Sequence, residues 1–416
     1  MKKLKLAGII LSVVILWSLF VGLGLSEGFL LRPFVSGDSS QDFVDGVLEK
    51  LDEVYVGNFA MIMVEDGEFS DDLYFSVGQE VDENSSFPVA SISKWVTSFG
   101  VMKLVQQGKI DLDTPVDEYL TRWNLPPSDY DNREVTVRRL LSHSAGLTDD
   151  LGYGGFAAGE KVQTIEESLT NASDGYYEGA AAKVGYQPGS QYMYSGASYL
   201  ILQLLIEEIS GKSFQTFMDQ EVFEPLGMKN TTFDLEANPG FEMVDVYTVE
   251  GETRPFNRFT AMAAAALVTS ASDLMKFMQA SVTANSILSQ ETIQEMSSPE
   301  SFINGTPVYG LGPHLYSQNS SESNIIGHDG SGNNAINTAA RVDLMSGDGI
   351  IILETGNYKI ASNLADEWMF WKAGIADFVV ITRNKNFLIT LLLSGYALIL
   401  IGSIYFIRRK KTLAAI

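Results

Sequence analysis

Two long stretches without a single charge lie at opposite ends of this 416-residue chain, and they constrain it more than any other feature. After Lys2, Lys3 and Lys5 no charged residue occurs from Leu6 to Ser26. None occurs from Asn386 to Ile407 either, where Arg408, Arg409, Lys410 and Lys411 follow at once. A helix needs about 20 predominantly apolar residues to cross a bilayer, and both runs reach that length. For the first run the alternative is a cleaved signal peptide. Its apolar part exceeds the roughly 7–15 residues of a signal core, and the small-residue cleavage pattern around Gly22 to Ser26 is poor. For the second run the alternative is a buried core helix, which leaves four adjacent cations without a purpose. Cationic flanks prefer the cytoplasm. Both termini are therefore expected inside a cell membrane, with the stretch between the two runs outside it. Trp368, Phe370, Trp371 and Phe378 precede the second run, as bilayer-interface aromatics do; core residues of a last helix are the other reading.

The expected division is an anchor or signal segment over 1–26, a linker over 27–43 and a folded domain over 44–365. A juxtamembrane segment over 366–385, a membrane helix over 386–407 and a basic tail over 408–416 follow. The chain is 45% hydrophobic and 19% charged, enough apolar material for a large core. Its formal charge of −24 excludes a protein that tracks nucleic-acid phosphates, since those need clustered cations. With no cysteine, disulfides, thiolate catalysis and cysteine zinc sites are excluded.

Between the end runs, strand and helix patterns alternate. Apolar runs at 59–64 and 73–77 flank Glu65-Asp66-Gly67, a hairpin signal. Helical spacing covers 91–107, 135–144, 199–209, 214–223 and 270–282, the last with Ser270 or Ser272 placed to cap it. Residues 147–190 are rich in Gly, Ala, Asp and Tyr with weak periodicity, as expected of a wall or lid over a site. Tyr153, Phe156, Tyr176 and Tyr177 belong to it. Strands at 338–345 and 350–354 flank Ser346-Gly347-Asp348-Gly349, and a final amphipathic helix covers 357–371. Strands at both ends with helices between them predict an α+β domain whose antiparallel sheet joins the chain's beginning and end.

The chemistry-bearing residues are few. Only His143, His314 and His328 are histidines, and no H-E-x-x-H, G-x-S-x-G or phosphate loop occurs. No metal and no cofactor is expected. Ser91-Ile92-Ser93-Lys94 remains. At a helix start, residues three apart share a face, so Lys94 can reach the Ser91 hydroxyl, a poor nucleophile until a base takes its proton. The alternative is that Ser91 only caps the helix and Lys94 is solvated. Further along come Leu140-Leu141-Ser142-His143-Ser144-Ala145-Gly146-Leu147, then Tyr194-Ser195-Gly196, then Gly327-His328-Asp329-Gly330-Ser331.

In this order and spacing the motifs resemble the penicillin-binding-protein-like family that includes class C β-lactamases, D-aminopeptidases and related esterases. The resemblance covers residues 44–363. It implies a sheet flanked by helices with a mainly helical subdomain. It also implies Ser91 as nucleophile, Lys94 as its partner and Tyr194 as proton shuttle. His328, Asp329 and Gly330 fall in the strand motif that lines the family's site. The backbone N–H groups of Ser91 and Ser331 fall where the oxyanion is held. His143 lies in a structural loop and is expected to be satisfied and non-catalytic.

Two departures bear on substrate. Gly196 stands where many relatives carry Asn, removing an amide donor. His328-Asp329-Gly330 replaces Lys-Thr-Gly, whose first two residues hold a substrate carboxylate. A carboxylate there repels another in a poorly solvated pocket. β-Lactams are therefore expected to be poor substrates, and neutral or amine-bearing small molecules or peptides better ones. D-Amino-acid peptides or acylated peptides head the expected substrates, with esters close behind. A non-catalytic receptor binding cell-wall peptide is the alternative, although Ser91, Lys94 and Tyr194 are all present.

Overall fold

The computed structural model describes residues 2–52, 55–148, 153–177, 179–238, 240–317, 323–332 and 335–413. Contacts divide the chain into two units, Val44–Ala365 and a second formed by Met1–Phe43 with Asp366–Ile416.

The larger unit is built on an eight-stranded antiparallel sheet. Its strands are β1 (Phe59–Glu65), β2 (Glu68–Phe75), β3 (Ser301–Ile303), β4 (Thr306–Tyr309), β5 (His314–Leu315), β6 (Ile325–Gly332), β7 (Ile336–Asp343) and β8 (Gly349–Thr355). Their order across the sheet is β2-β1-β8-β7-β6-β5-β4-β3. Pairing of Phe59 with Glu354 and of Met63 with Ile350 joins the first strand to the last. β1, β7 and β8 are buried almost throughout, which accounts for the unbroken run Ile350-Ile351-Ile352-Leu353. The β1–β2 hairpin turns through Asp66 and Gly67, both at positive φ (50° and 80°). That two-residue turn matches the strands' right-handed twist.

Helix α1 (Ile92–Gln106) runs through the core of this unit, buried continuously over residues 92–102. Its Trp95 and Phe99 rings lie 5.0 and 4.6 Å from Phe277. The polar groups it buries are bonded: Thr97 donates to the Ala263 carbonyl, Ser98 to that of Trp95, and Ser93 accepts the Leu267 N–H. Helices α2 (Gly196–Ser210), α3 (Met262–Ala265) and α4 (Ala271–Val282) pack around it. The Ser195 and Ser270 side chains cap α2 and α4. The helix expected over 135–144 is only Val137–Leu141, because His143 and Gly146 take positive φ (57° and 77°) and turn the chain away. The pattern over 214–223 divides into an α-helix, Phe214–Met218, and a π-helical turn, Asp219–Phe223.

The smaller unit holds two helices of membrane-spanning length and composition, within Lys2–Ser26 and Phe378–Leu413. The second begins before the expected 386, since Arg383, Asn384 and Lys385 lie on it without any helix breaker. Helix Ile360–Ala373 precedes it. Of the expected interface aromatics, Trp368 and Phe370 are buried, whereas Phe378 is exposed.

Candidate active site

Ser91 sits at the start of α1 with helical dihedrals, and its side chain caps nothing. The hydroxyl is free for another task. Lys94, one turn on and 3% exposed, places Nζ 3.2 Å from Ser91 Oγ and donates to the Ala264 carbonyl at 2.7 Å. The capping alternative for Ser91 therefore fails. Ala90, just before the serine, holds φ at 45°, the sort of backbone strain that collects at reactive sites.

Tyr194 arrives from the segment before α2. Its ring lies 4.9 Å from Lys94 Nζ and its hydroxyl hydrogen-bonds Ser91. The ring edges onto solvent, 36% exposed, while loss of water around the hydroxyl raises its pKa against the lowering effect of that bond. Ser91 and Lys94, one helical turn apart, thus form one cluster with Tyr194, which lies far along the sequence.

The third motif lies on β6. Gly330 has a physical reason to be glycine: a Cβ there would stand 2.1 Å from the Val89 carbonyl. Its absence lets β6 approach the segment leading to Ser91. The Thr338 hydroxyl donates to that same carbonyl at 3.0 Å. Ser331 lines a pocket of about 200 Å³ together with Ala90, Tyr153, Tyr176, Phe256 and Phe259. Two of the four aromatics expected to shape the site are in this wall. Phe156 is instead buried, in a bridge to Arg258, and Tyr177 is exposed. Residues 149–152 and 178 of the expected lid lie outside the described residues.

His328 is buried, donating from Nδ1 to the Asp329 carbonyl and accepting the Tyr309 hydroxyl on Nε2 at 3.0 Å. Burial first, then His314 and Lys94, push its pKa well below the usual value, so the imidazole is neutral. His314, 4.7 Å from the His328 ring, is lowered to about 4, chiefly by burial.

Asp329 departs from expectation. Strand alternation sends its side chain to the face opposite His328 and Gly330, where it pairs with Arg341. Arg341 is buried, its guanidinium 3.9 Å from the Tyr316 ring centre, and an uncompensated cation there is costly. Asp329 is thus paired with Arg341 while staying near the site, where its charge bears on Tyr194 and His314.

Sequence reasoning missed Tyr309 and Tyr199, and read His143 as merely satisfied. The three rings pack together: Tyr309 and Tyr199 lie 4.8 and 5.3 Å from His143, whose ring lies 4.3 Å from that of Tyr194. Their bonds run to backbone groups and to distant residues, and no local motif marks such partners.

A sheet closed by both chain ends, with serine and lysine one helical turn apart beside it, is the architecture of penicillin-recognising serine hydrolases. The chain belongs to the Beta-lactamase family, which it matches over residues 48–369. It is similar to penicillin-binding protein 4* of Bacillus subtilis, 34% identical over 184 residues, covering 41% of this chain and 36% of that protein. A putative D-alanyl-D-alanine carboxypeptidase of Salmonella typhimurium is 29% identical over 154 residues, 36% of this chain and 34% of the relative. The chain spans well under half the length of these curated relatives. Among solved structures, the octameric penicillin-binding protein homologue from Pyrococcus abyssi superimposes with a TM-score of 0.69. It is 25% identical and is matched over 82% of this chain and 80% of its own. The fold is also that of a D-stereospecific amidohydrolase from Streptomyces, with TM-score 0.61 and 20% identity over 80% of this chain and 99% of that one.

Proposed function

We propose that this protein is a membrane-anchored, extracytoplasmic serine hydrolase that cleaves amides or esters through a covalent acyl-serine. The observation that carries the reading is the Ser91 hydroxyl, uncommitted to any cap and 3.2 Å from a buried lysine amine. The Ser91 proton passes to the Lys94–Tyr194 pair as Oγ bonds to the substrate carbonyl carbon. The oxyanion rests on the N–H groups of Ser91 and Ser331, donors of a kind worth about 3 kcal/mol each. The C–N or C–O bond then breaks as Tyr194 returns the proton to the leaving group. Water, deprotonated by the same pair, releases the acid.

The substrate reading rests on charge and shape. A neutral imidazole, His328, stands where the resemblance calls for a lysine, and Asp329 is matched by Arg341. Neither offers a cation to a substrate carboxylate, so poor turnover of β-lactams follows from a missing attraction and not from the repulsion first expected. The aromatic pocket beside Ser331 has room for a phenyl- or leucyl-sized group; a cavity of about 150 Å³ already holds benzene. Peptides, amides or esters of apolar D-amino acids fit this site. The D-amino acid amidase from Ochrobactrum anthropi shares the fold.

The test is a panel of D- and L-phenylalanine, leucine and alanine amides and methyl esters, with nitrocefin, on the full-length protein in detergent. Turnover of the apolar D-compounds above their L-forms and above nitrocefin is expected. Fast nitrocefin turnover with inert amides and esters would contradict the reading.

A further inference from the structure

We infer that His143 is a positioning residue for Tyr194, an assignment that rests on the acyl-serine reading above. Two backbone bonds bracket the tyrosine. The Met193 N–H donates to the His143 carbonyl at 2.8 Å, and the Ser195 N–H donates to His143 Nδ1 at 3.0 Å. The imidazole is fully buried, with its ring 4.3 Å from that of Tyr194. One residue thus holds the chain on both sides of the phenol and packs against the phenol itself. An acceptor at Nδ1 requires the neutral tautomer protonated at Nε2. His143 also sits at φ 57°, where Asn is among the few residues tolerated.

Protonation of the leaving group distinguishes positioning from mere support. A p-nitrophenolate leaves without a proton, whereas the nitrogen of a primary amide needs one to leave as ammonia. His143→Ala is expected to lower kcat on D-phenylalanine amide by roughly 100-fold, with KM little changed, and on p-nitrophenyl acetate by roughly 10-fold, because there only the Ser91 and water proton transfers of the Lys94–Tyr194 pair are disturbed. Tyr194→Phe gives the same leaving-group profile, and the double variant falls little further. His143→Asn, whose side-chain oxygen can take the Ser195 N–H, is expected to regain most of the amide activity. Equal losses on both substrates in a folded His143→Ala protein would overturn the assignment, as would additive losses in the double variant. A native protein inert toward every ester and amide would instead sink the hydrolase reading.

A separate observation concerns the terminal helices. We infer that they form one antiparallel transmembrane hairpin, so that the N-terminal helix is retained after export; this rests on the membrane reading above. Trp17 Nε1 donates to the Leu392 carbonyl at 3.1 Å, and the Ser18 and Tyr396 hydroxyls lie 2.8 Å apart. Gly395 makes the approach possible, since a Cβ there would stand 2.1 Å from the Trp17 indole. Small residues and polar bonds are what join helices in lipid. At the outer end Arg32 bonds Asn384 and covers the Phe387 ring at 3.7 Å. Continuing the register inward by about 13 residues, roughly 20 Å, brings Lys5 level with Arg409. Both cationic flanks then emerge at one surface.

The cysteine-free chain allows a clean test. Full-length protein carrying Ser18→Cys and Tyr396→Cys is treated in membranes with a short bismaleimide. It is then cut at a protease site inserted in the exposed Asn304-Gly305 turn. The fragments are expected to remain joined, and to separate when Leu398→Cys, on an exposed face, replaces Tyr396→Cys. Intact mass is expected to include the first helix. Separation of the Ser18–Tyr396 pair, or loss of the first helix from carbonate-resistant protein, would overturn the hairpin. Release of the whole protein by carbonate would instead refute membrane anchoring.

Discussion

Two apolar helices of this chain meet opposite surroundings. Helix α1 buries every residue over 92–102, while the C-terminal helix leaves almost all of its most apolar window uncovered, only 6% of it buried. Both carry polar groups, and the difference lies in what satisfies them. In α1, Ser93, Thr97 and Ser98 bond to nearby backbone, and Lys94 alone reaches a side chain able to react. In the terminal pair, Trp17, Ser18 and Tyr396 bond across to the opposite helix. Hydrophobicity therefore does not separate α1 from the terminal helices. The placement of charge does: α1 places a lysine inside its apolar run, and the terminal runs keep theirs at the ends.

Substitutions can break this contrast at several levels. Lys94→Met keeps most of the buried volume of α1 and removes the amine. Ester turnover is expected to fall by about 10³-fold or more, with thermal unfolding little changed. Leu104→Ala opens a cavity at a fully buried position of the same helix and is expected to cost about 2–5 kcal/mol in denaturant unfolding. Leu398→Ala, at a site 70% exposed, is expected to leave unfolding in detergent unchanged.

Glu354 sharpens the contrast through pH. Burial pushes its carboxyl up to about 8, against a smaller pull from the Ala361 and Ile360 N–H groups. The folded protein keeps a proton that the unfolded chain releases near 4.5. This stabilisation is complete below pH ~4.5 and is lost as pH rises to about 8, a change of up to roughly 5 kcal/mol. Glu354→Gln is expected to flatten that part of the stability–pH curve; an unchanged slope would show that Glu354 ionises freely. A small effect belongs to Arg122, which is 42% exposed and paired with Glu166 and Glu207. Arg122→Ala is expected to cost less than about 1 kcal/mol in unfolding.

The joining of the sheet's first and last strands was legible because β1 and β8 are nearly unbroken apolar runs bounded by turn residues. Ser91 and Lys94 were legible because a helix start leaves a local sign, whereas Tyr194 was reached only through the family resemblance. The side-chain direction of Asp329 was not, since it depends on strand phase and on Arg341, which lies across the hairpin on the neighbouring strand. His143 hid its contacts for a related reason: it serves backbone N–H groups, and every residue but proline has one. The early end of the short helix before it was not legible, because a positive φ at a histidine carries no sequence mark.

The central claim is an activated Ser91. Full-length protein treated with a fluorophosphonate and measured by intact mass, beside Ser91→Ala, tests it most directly. The account predicts one adduct on the native chain, mapped to Ser91 and absent from the variant. Equal labelling of both proteins, or a folded native protein that neither labels at Ser91 nor turns over any ester, would contradict it.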